Sequence, residues 1–290
     1  MQESYRQALA QGQRIGSRYA LSLPYQVIAG GIGAQAGRGV GSSLEFMDHR
    51  EYQPGDDLRR IDWSAYARSD KLIVNLYREE VNPHLDLILD GSASMNLADS
   101  RKARGTLAVA AAFAQAADVG GFSHRSWLCN GQCRGVRNGS DRPENWTGIA
   151  FDNTENPAQA IIRSASTFRP RGVRLLISDL LWLGDPLTLL SVLSERATAV
   201  YVVQLLAVAD ADPDLQGNVR LEDTETGDLR EVFIDATARA AYLRRLRDHQ
   251  ENWRRACRQS GSQMITLVAE SFLQNADLST AVASGMLAVK

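Results

Sequence analysis

From His84 onward, short apolar runs alternate with longer stretches of helical periodicity, and this alternation confines the chain to a layered α/β architecture. The run His84 to Asp90 (H-L-D-L-I-L-D) climbs into apolar residues and ends in an acid, as a buried strand feeding a loop does. A helix follows, capped by Asp99 or Ser100, with Leu107, Ala111 and Ala114 on one face and Gly120-Gly121 as its stop. The pattern then recurs. A helix is predicted over 157–168, a strand over 173–178, a helix over 186–196 and a strand over 199–207. A hairpin follows over 219–222 and 230–234, then a helix over 236–259 closed by Gly261 and a last strand over 264–268. The expected fold class is α/β, a doubly wound, mainly parallel sheet flanked by helices.

Composition excludes several classes of protein. The chain has 290 residues, 44% of them hydrophobic, and a formal net charge of -2 with a pI near 6.1. That balance gives no reason to expect nucleic acid or an anionic membrane as partner. No stretch is long and apolar enough to span a bilayer, and Met1 to Ala20 lacks the apolar core of a secretory signal, so a cytoplasmic location without membrane insertion is expected. Cys129, Cys133 and Cys257 form an odd set that does not resemble a disulfide framework. An Asn-Gly turn at Asn130-Gly131 is expected to pair Cys129 with Gln132 and Leu128 with Cys133, which sets the two thiols on opposite faces. The four histidines show no ligand spacing, so zinc is not expected.

Composition changes near residue 83, which divides the chain into an extension over 1–83, rich in loops and short strands, and a main domain over 84–290. The extension carries glycines from Gly30 to Gly41, expected as a connector, and a strand over 72–77. Its run Pro54-Gly55-Asp56-Asp57 with Arg59, Arg60, Asp62 and Trp63 reads as a turn whose charges pair locally while Trp63 packs against the main domain, in preference to a partner-facing cluster. The arginines between Arg239 and Arg258 read as the solvated face of a helix that buries Leu243, Leu246 and Trp253.

Chemistry concentrates at the strand ends, where open α/β sheets bind their ligands. Asp90-Gly91-Ser92-Ala93-Ser94 sets a carboxylate and two hydroxyls at alternate positions of one tight loop, and Asp179 ends a neighbouring strand. An all-oxygen set with two carboxylates suits Mg²⁺ or Mn²⁺ better than zinc or calcium.

These residues also carry a resemblance. Asp90-Gly91-Ser92-Ala93-Ser94-Met95 resembles the metal-ion-dependent adhesion site of von Willebrand factor A-type domains. Upstream, Gly39-Val40-Gly41, Leu44-Glu45-Phe46, Arg50-Glu51-Tyr52, Pro54-Gly55-Asp56-Asp57, Arg59, Ile61-Asp62-Trp63 and Ala67-Arg68 resemble the signature of the bacterial "domain of unknown function 58" family. The resemblance implies a von Willebrand A-like fold and association with a MoxR-type AAA+ ATPase. It also implies a metal site of Asp90, Ser92, Ser94, a threonine and Asp179, the threonine being Thr154 with Thr147 behind it. The expected function is a metal-dependent protein-binding adaptor that grips an acidic side chain on the ATPase or on a client protein, with no catalytic residues. The alternative is a Mg²⁺-dependent phosphohydrolase using Asp90 as nucleophile. It is disfavoured because Ser92 stands where such chemistry wants a second acid.

Overall fold

The structure, a computed structural model, describes residues 3–23, 44–54, 56–69, 71–79, 83–97, 101–224 and 226–290. Its elements in chain order are α1 (Glu3–Gly16), β1 (Tyr19–Leu21), β2 (Leu44–Glu51), α2 (Trp63–Ser69), β3 (Ile73–Glu79), β4 (His84–Asp90), α3 (Lys102–Val119), β5 (Ser123–Asn130), β6 (Gln132–Gly135), α4 (Pro157–Ser164), β7 (Val173–Ser178), α5 (Pro186–Ser194), β8 (Ala199–Leu206), α6 (Val208–Ala211), β9 (Gly217–Glu222), β10 (Leu229–Ile234), α7 (Ala236–Ser260), β11 (Gln263–Val268), α8 (Ala269–Asn275), α9 (Ser279–Ala283) and β12 (Leu287–Val289). The expected connector at Gly30 to Gly41 and the expected caps Asp99 and Ser100 lie outside the described residues.

The central sheet has six strands in the order β11-β8-β7-β4-β5-β6. All neighbours run parallel except β6, which folds back antiparallel on β5. From β4 the chain steps outward to β5 and β6, then crosses back to β7 on the other side of β4 and continues to β8 and β11. Strand order therefore reverses between β4 and β7. The mixed α/β architecture with a mainly parallel sheet is the one expected from the sequence.

Alternation along each strand sends residues to two separate cores. Leu85, Leu87 and Leu89 of β4, Leu175 and Ile177 of β7, and Tyr201, Val203 and Leu205 of β8 pack with α1, α3 and α8. Ile88, Leu176, Val200 and Val202 pack on the other face with α4, α5 and Trp253 of α7. Helix α3 is buried from Ala103 to Ala117 almost all the way round, because the sheet covers one side and α1 the other. A helix apolar on every side needs two covers.

The second cover corrects the expected boundary at residue 83. The chain forms two units, one of Met1–Val27 with Pro83–Lys290 and the other of Ile28–Asn82. The start of the chain thus groups with the main domain, and the small unit ends at Asn82. Tyr5, Ala8, Leu9, Gly12, Ile15 and Gly16 make the buried stripe of α1, and β1 pairs antiparallel with β12 at the other end of the chain. A Cβ on Gly12 falls 2.0 Å from the carbonyl oxygen of Ala108, so the two helix backbones touch where no side chain fits. In the small unit, β2 pairs antiparallel with β3. Its charges pair locally, as expected: Arg50 bridges Asp56 at 2.8 Å, Asp57 accepts from the Arg59 amide, and Asp62 accepts from the amides of Ser64 and Ala65.

A second correction concerns the cysteines. Asn130 and Gln132 are themselves partners with Gly131 alone at the tip, in a left-handed conformation (φ 66°), and Cys129 therefore faces Cys133. Directly opposed residues share a face, and the two sulfurs form a disulfide. The free thiol is Cys257, which burial pushes up to about 12 and so keeps unreactive.

Two outcomes follow from this packing. Gly12→Ala forces α1 away from α3 and is expected to cost about 1–3 kcal/mol in urea unfolding, whereas an unchanged midpoint contradicts the helix contact. Thiol titration of the protein unfolded without reductant is expected to find one thiol, and three after reduction.

Candidate functional site at the strand ends

The reversal of strand order opens a crevice at the carboxyl ends of β4 and β7, and the acids that end these strands stand on either side of it. Asp90 is 0% exposed. Its Oδ1 accepts the Ser92 amide at 2.9 Å and its Oδ2 accepts the Ser178 hydroxyl at 2.5 Å. Burial pushes its carboxyl up to about 6, and the nearby Asp179 charge adds to the rise while the Ser178 and Ser92 hydrogen bonds oppose it.

The loop after β4 is held from both sides. Gly91 donates to the carbonyl of Cys129, and Ala93 donates to the carbonyl of Asn153, whose own amide returns a bond to Gly91. The segment around Asn153 thereby runs alongside the loop like a further short strand. This fixes the two serines, with Ser92 Oγ and Ser94 Oγ 3.1 Å apart, and Ser94 Oγ donates toward Asp179 Oδ2 at 3.5 Å. Asp179 accepts the Leu181 amide through its other oxygen, and its carbonyl is held by Gln204 at 3.0 Å. Leu180 takes a left-handed backbone (φ 60°) between them. Its amide bonds the Ser178 hydroxyl and its carbonyl accepts His249 Nε2 at 2.7 Å, which offsets the strain.

Asp90, Ser92, Ser94 and Asp179 thus come together as the sequence suggested. Thr154 does not join them. It is exposed on the loop beyond Asn153, and the cavity wall there is Asn156 and Pro157. Thr147 pairs with Arg137 in an isolated bridge elsewhere. Sequence reading missed Ser178, Lys102 and Asp210. Lys102 is 1% exposed, and its ammonium lies 2.9 Å from Asp179 Oδ2 and 3.1 Å from Asp210 Oδ2. Burial opposes the charge, yet the two carboxylates outweigh it and hold the amine above its usual value. Its sequence signal was a lysine at the first position of an alanine-rich helix, where the helix dipole disfavours a cation.

Above these groups lies a cleft of about 480 Å³, lined by Ser92, Ser94, Lys102, Asp179 and Asp210, with Leu181, Trp182 and Leu183 on one side and Glu222 to Thr224 on another. Leu183 is 91% exposed. A larger groove of about 790 Å³ lies beside Arg14 and Asp118, near the other end of α3. It is about 24 Å from Lys102 along the helix axis, and its charged lining, Arg14 and Arg142 with Asp118 and Glu144, is solvent-exposed rather than buried.

Among the described residues no group of three His, Cys, Asp or Glu side chains gathers as a metal cluster, so an ion in this cleft relies on hydroxyls. The donors fit a small hard cation in kind. Neighbouring ligands on an octahedral ion with bonds of about 2.1 Å stand about 3 Å apart, close to the 3.1 Å between the serine hydroxyls. Two carboxylates, Asp179 and Asp210, face the Lys102 ammonium, and the charge of Asp179 also acts on Asp90, so acid outnumbers base at the strand ends, which suits a divalent ion.

The profile of the family described as "Protein of unknown function DUF58" matches residues 48–134 and 150–252, more than half of the chain. The chain belongs to this family. Uncharacterized proteins of Mycobacterium tuberculosis and Mycobacterium bovis are each 29% identical to it over 248 residues, covering 78% of this chain and 75% of theirs. Among solved structures, a conserved hypothetical protein BatB from Bacteroides thetaiotaomicron overlaps 70% of this chain and 100% of its own at 12% identity, with a TM-score of 0.35. An aerotolerance-related membrane protein from Bacteroides fragilis overlaps 66% of this chain and 95% of its own at 13% identity, with a TM-score of 0.36. In the DUF58 protein described here, no helix among the described residues is long and apolar enough to cross a membrane.

Ser178→Ala removes the donor to a buried carboxylate oxygen and is expected to lower unfolding free energy by about 1–3 kcal/mol. Urea denaturation checks this, and an unchanged stability contradicts the role given to Ser178.

Proposed function

We propose that this DUF58 protein is a metal-dependent protein-binding module of von Willebrand A type, which grips an acidic side chain of its partner through a Mg²⁺ or Mn²⁺ ion in the cleft. The observation that carries this reading is the convergence of Ser92 Oγ, Ser94 Oγ and Asp179 Oδ2 at the mouth of the crevice, with Asp90 buried behind them. Ser92, Ser94 and Asp179 are the residues to hold the ion, and Asp90 orients the serine loop through the Ser92 amide. The bound ion supplies an electrophilic centre for a partner carboxylate. Exposed Leu181 and Leu183 beside the cleft offer apolar area around that polar contact, the arrangement of an interface with a polar anchor.

The partner proposed is a MoxR-type AAA+ ATPase, or a client protein that such an ATPase remodels, as the motif resemblance implies. The phosphohydrolase reading is the weaker one. A nucleophilic carboxylate needs an oxygen open to the substrate, and Asp90 is fully buried with both oxygens engaged.

Affinity capture from host lysate tests the proposal. An AAA+ ATPase is expected to be retained with Mg²⁺, lost with EDTA and lost with Ser92→Ala, whose melting temperature stays within a few degrees of the parent. Equal capture by the folded variant overturns the metal grip.

A further inference from the structure

Lys102 lies outside the ligand set just proposed, yet its ammonium is bonded to one of that set's oxygens. Asp179 Oδ2 accepts from Lys102 Nζ at 2.9 Å and from Ser94 Oγ at 3.5 Å, so a single carboxylate oxygen faces both the ammonium and the cleft. The placement of this lysine is costly in two ways. It opens α3, where the helix dipole is already positive, and it is almost wholly out of water. Nothing in the packing of α3 asks for a cation there. Only the carboxylates of Asp179 and Asp210 make it tolerable.

Asp210 is itself held in place. Its Oδ2 accepts the Ala207 amide at 2.9 Å, and its carbonyl accepts the Tyr242 hydroxyl at 2.7 Å. The ammonium therefore has a second, fixed carboxylate to rely on if its bond to Asp179 is given up.

We propose that Lys102 is a resident cation that competes with a divalent ion for Asp179. This rests on the metal reading of the cleft. In the ion-free site, Lys102 neutralises Asp179 and keeps the strand-end groups assembled. When an ion enters between Ser92, Ser94 and Asp179, the ammonium shares or yields the Oδ2 bond and stays on Asp210. Loading is correspondingly weak, because two cations that share one oxygen repel each other. A divalent ion about 5 Å from an ammonium is disfavoured by a factor on the order of ten even at the dielectric of bulk water. Lys102 is thus a positioning residue that sets metal affinity.

Calorimetric titration with MgCl₂ and MnCl₂ at fixed ionic strength, on the parent protein and Lys102→Met, tests this without any activity assay. The double variant Lys102→Met with Asp210→Asn removes both charges, so a folded protein without a stranded carboxylate is also measured. Lys102→Met is expected to bind the ion about tenfold more tightly than the parent, the double variant more tightly by a smaller factor because the attraction of Asp210 is lost as well, and Ser92→Ala in the Lys102→Met background is expected to abolish the gain. Equal or weaker binding by the folded variants, with binding by the parent, overturns the competition and leaves the metal reading standing. No binding by any of the folded proteins overturns both.

Discussion

A carboxylate taken entirely out of water between two parallel strands sets the terms for everything around it. Asp90 has a charge that burial disfavours, so each oxygen needs a donor, and the chain supplies the Ser92 amide on one side and the Ser178 hydroxyl on the other. The Ser178 bond ties the end of β4 to the end of β7 at the point where strand order reverses, and the Ser92 bond turns the loop that follows β4. The Ser178 hydroxyl also holds the Leu180 amide, which turns the chain after Asp179 and aims that second carboxylate into the cleft. Lys102, buried beside Asp179, then offsets its charge and joins it to the half-buried Asp210. Removing one member leaves another charge stranded in a site of low dielectric.

The scaffold that holds this set is a sheet with two unlike covers. On one face lies the alanine-rich α3, thin enough for α1 to approach backbone to backbone at Gly12 and Gly16. On the other face α4, α5 and α7 cover an apolar layer that also contains polar groups. Asp86 accepts from the Trp127 indole and the Arg169 amide, and Arg174 donates to carbonyls at the end of α5. Gln204 links Asp179 to Gln250 and Thr266. Gln204, opposite Ser178 in the sheet, thus fixes the end of β7 by specific bonds as well as by packing, while Asp86 and Arg174 do so nearer the starts of their strands.

Most elements were legible from periodicity, since the strands at 84–90 and 173–178 and the helix from 236 are long and regular in pattern. The start of the chain was not. Its polar composition, with Arg6, Arg14 and Arg18, read as an extension, although Ala8, Leu9, Gly12, Ile15 and Gly16 form a helical stripe. Small residues carry a weak hydropathy signal, and their value lies in permitting close approach, which only a partner helix reveals. The hairpin register was misread for a similar reason. An Asn-Gly pair suggests a two-residue turn, but Gly131 stands alone at the tip and a shift of one residue moves Cys133 to the face of Cys129.

The sequence by itself determined the α/β class, the two acid-tipped strands and the serine loop, because each is encoded within a few consecutive residues. Tertiary structure alone decided which hydroxyl supports Asp90, that Asn156 and Pro157 rather than Thr154 line the cleft, and that Lys102 joins Asp179 to Asp210 across more than seventy positions of chain. The physical reason is one of range. Periodicity and turn chemistry act between near neighbours, whereas a buried charge is matched by whatever the fold brings within hydrogen-bonding distance, and that partner leaves no local trace in the order of residues.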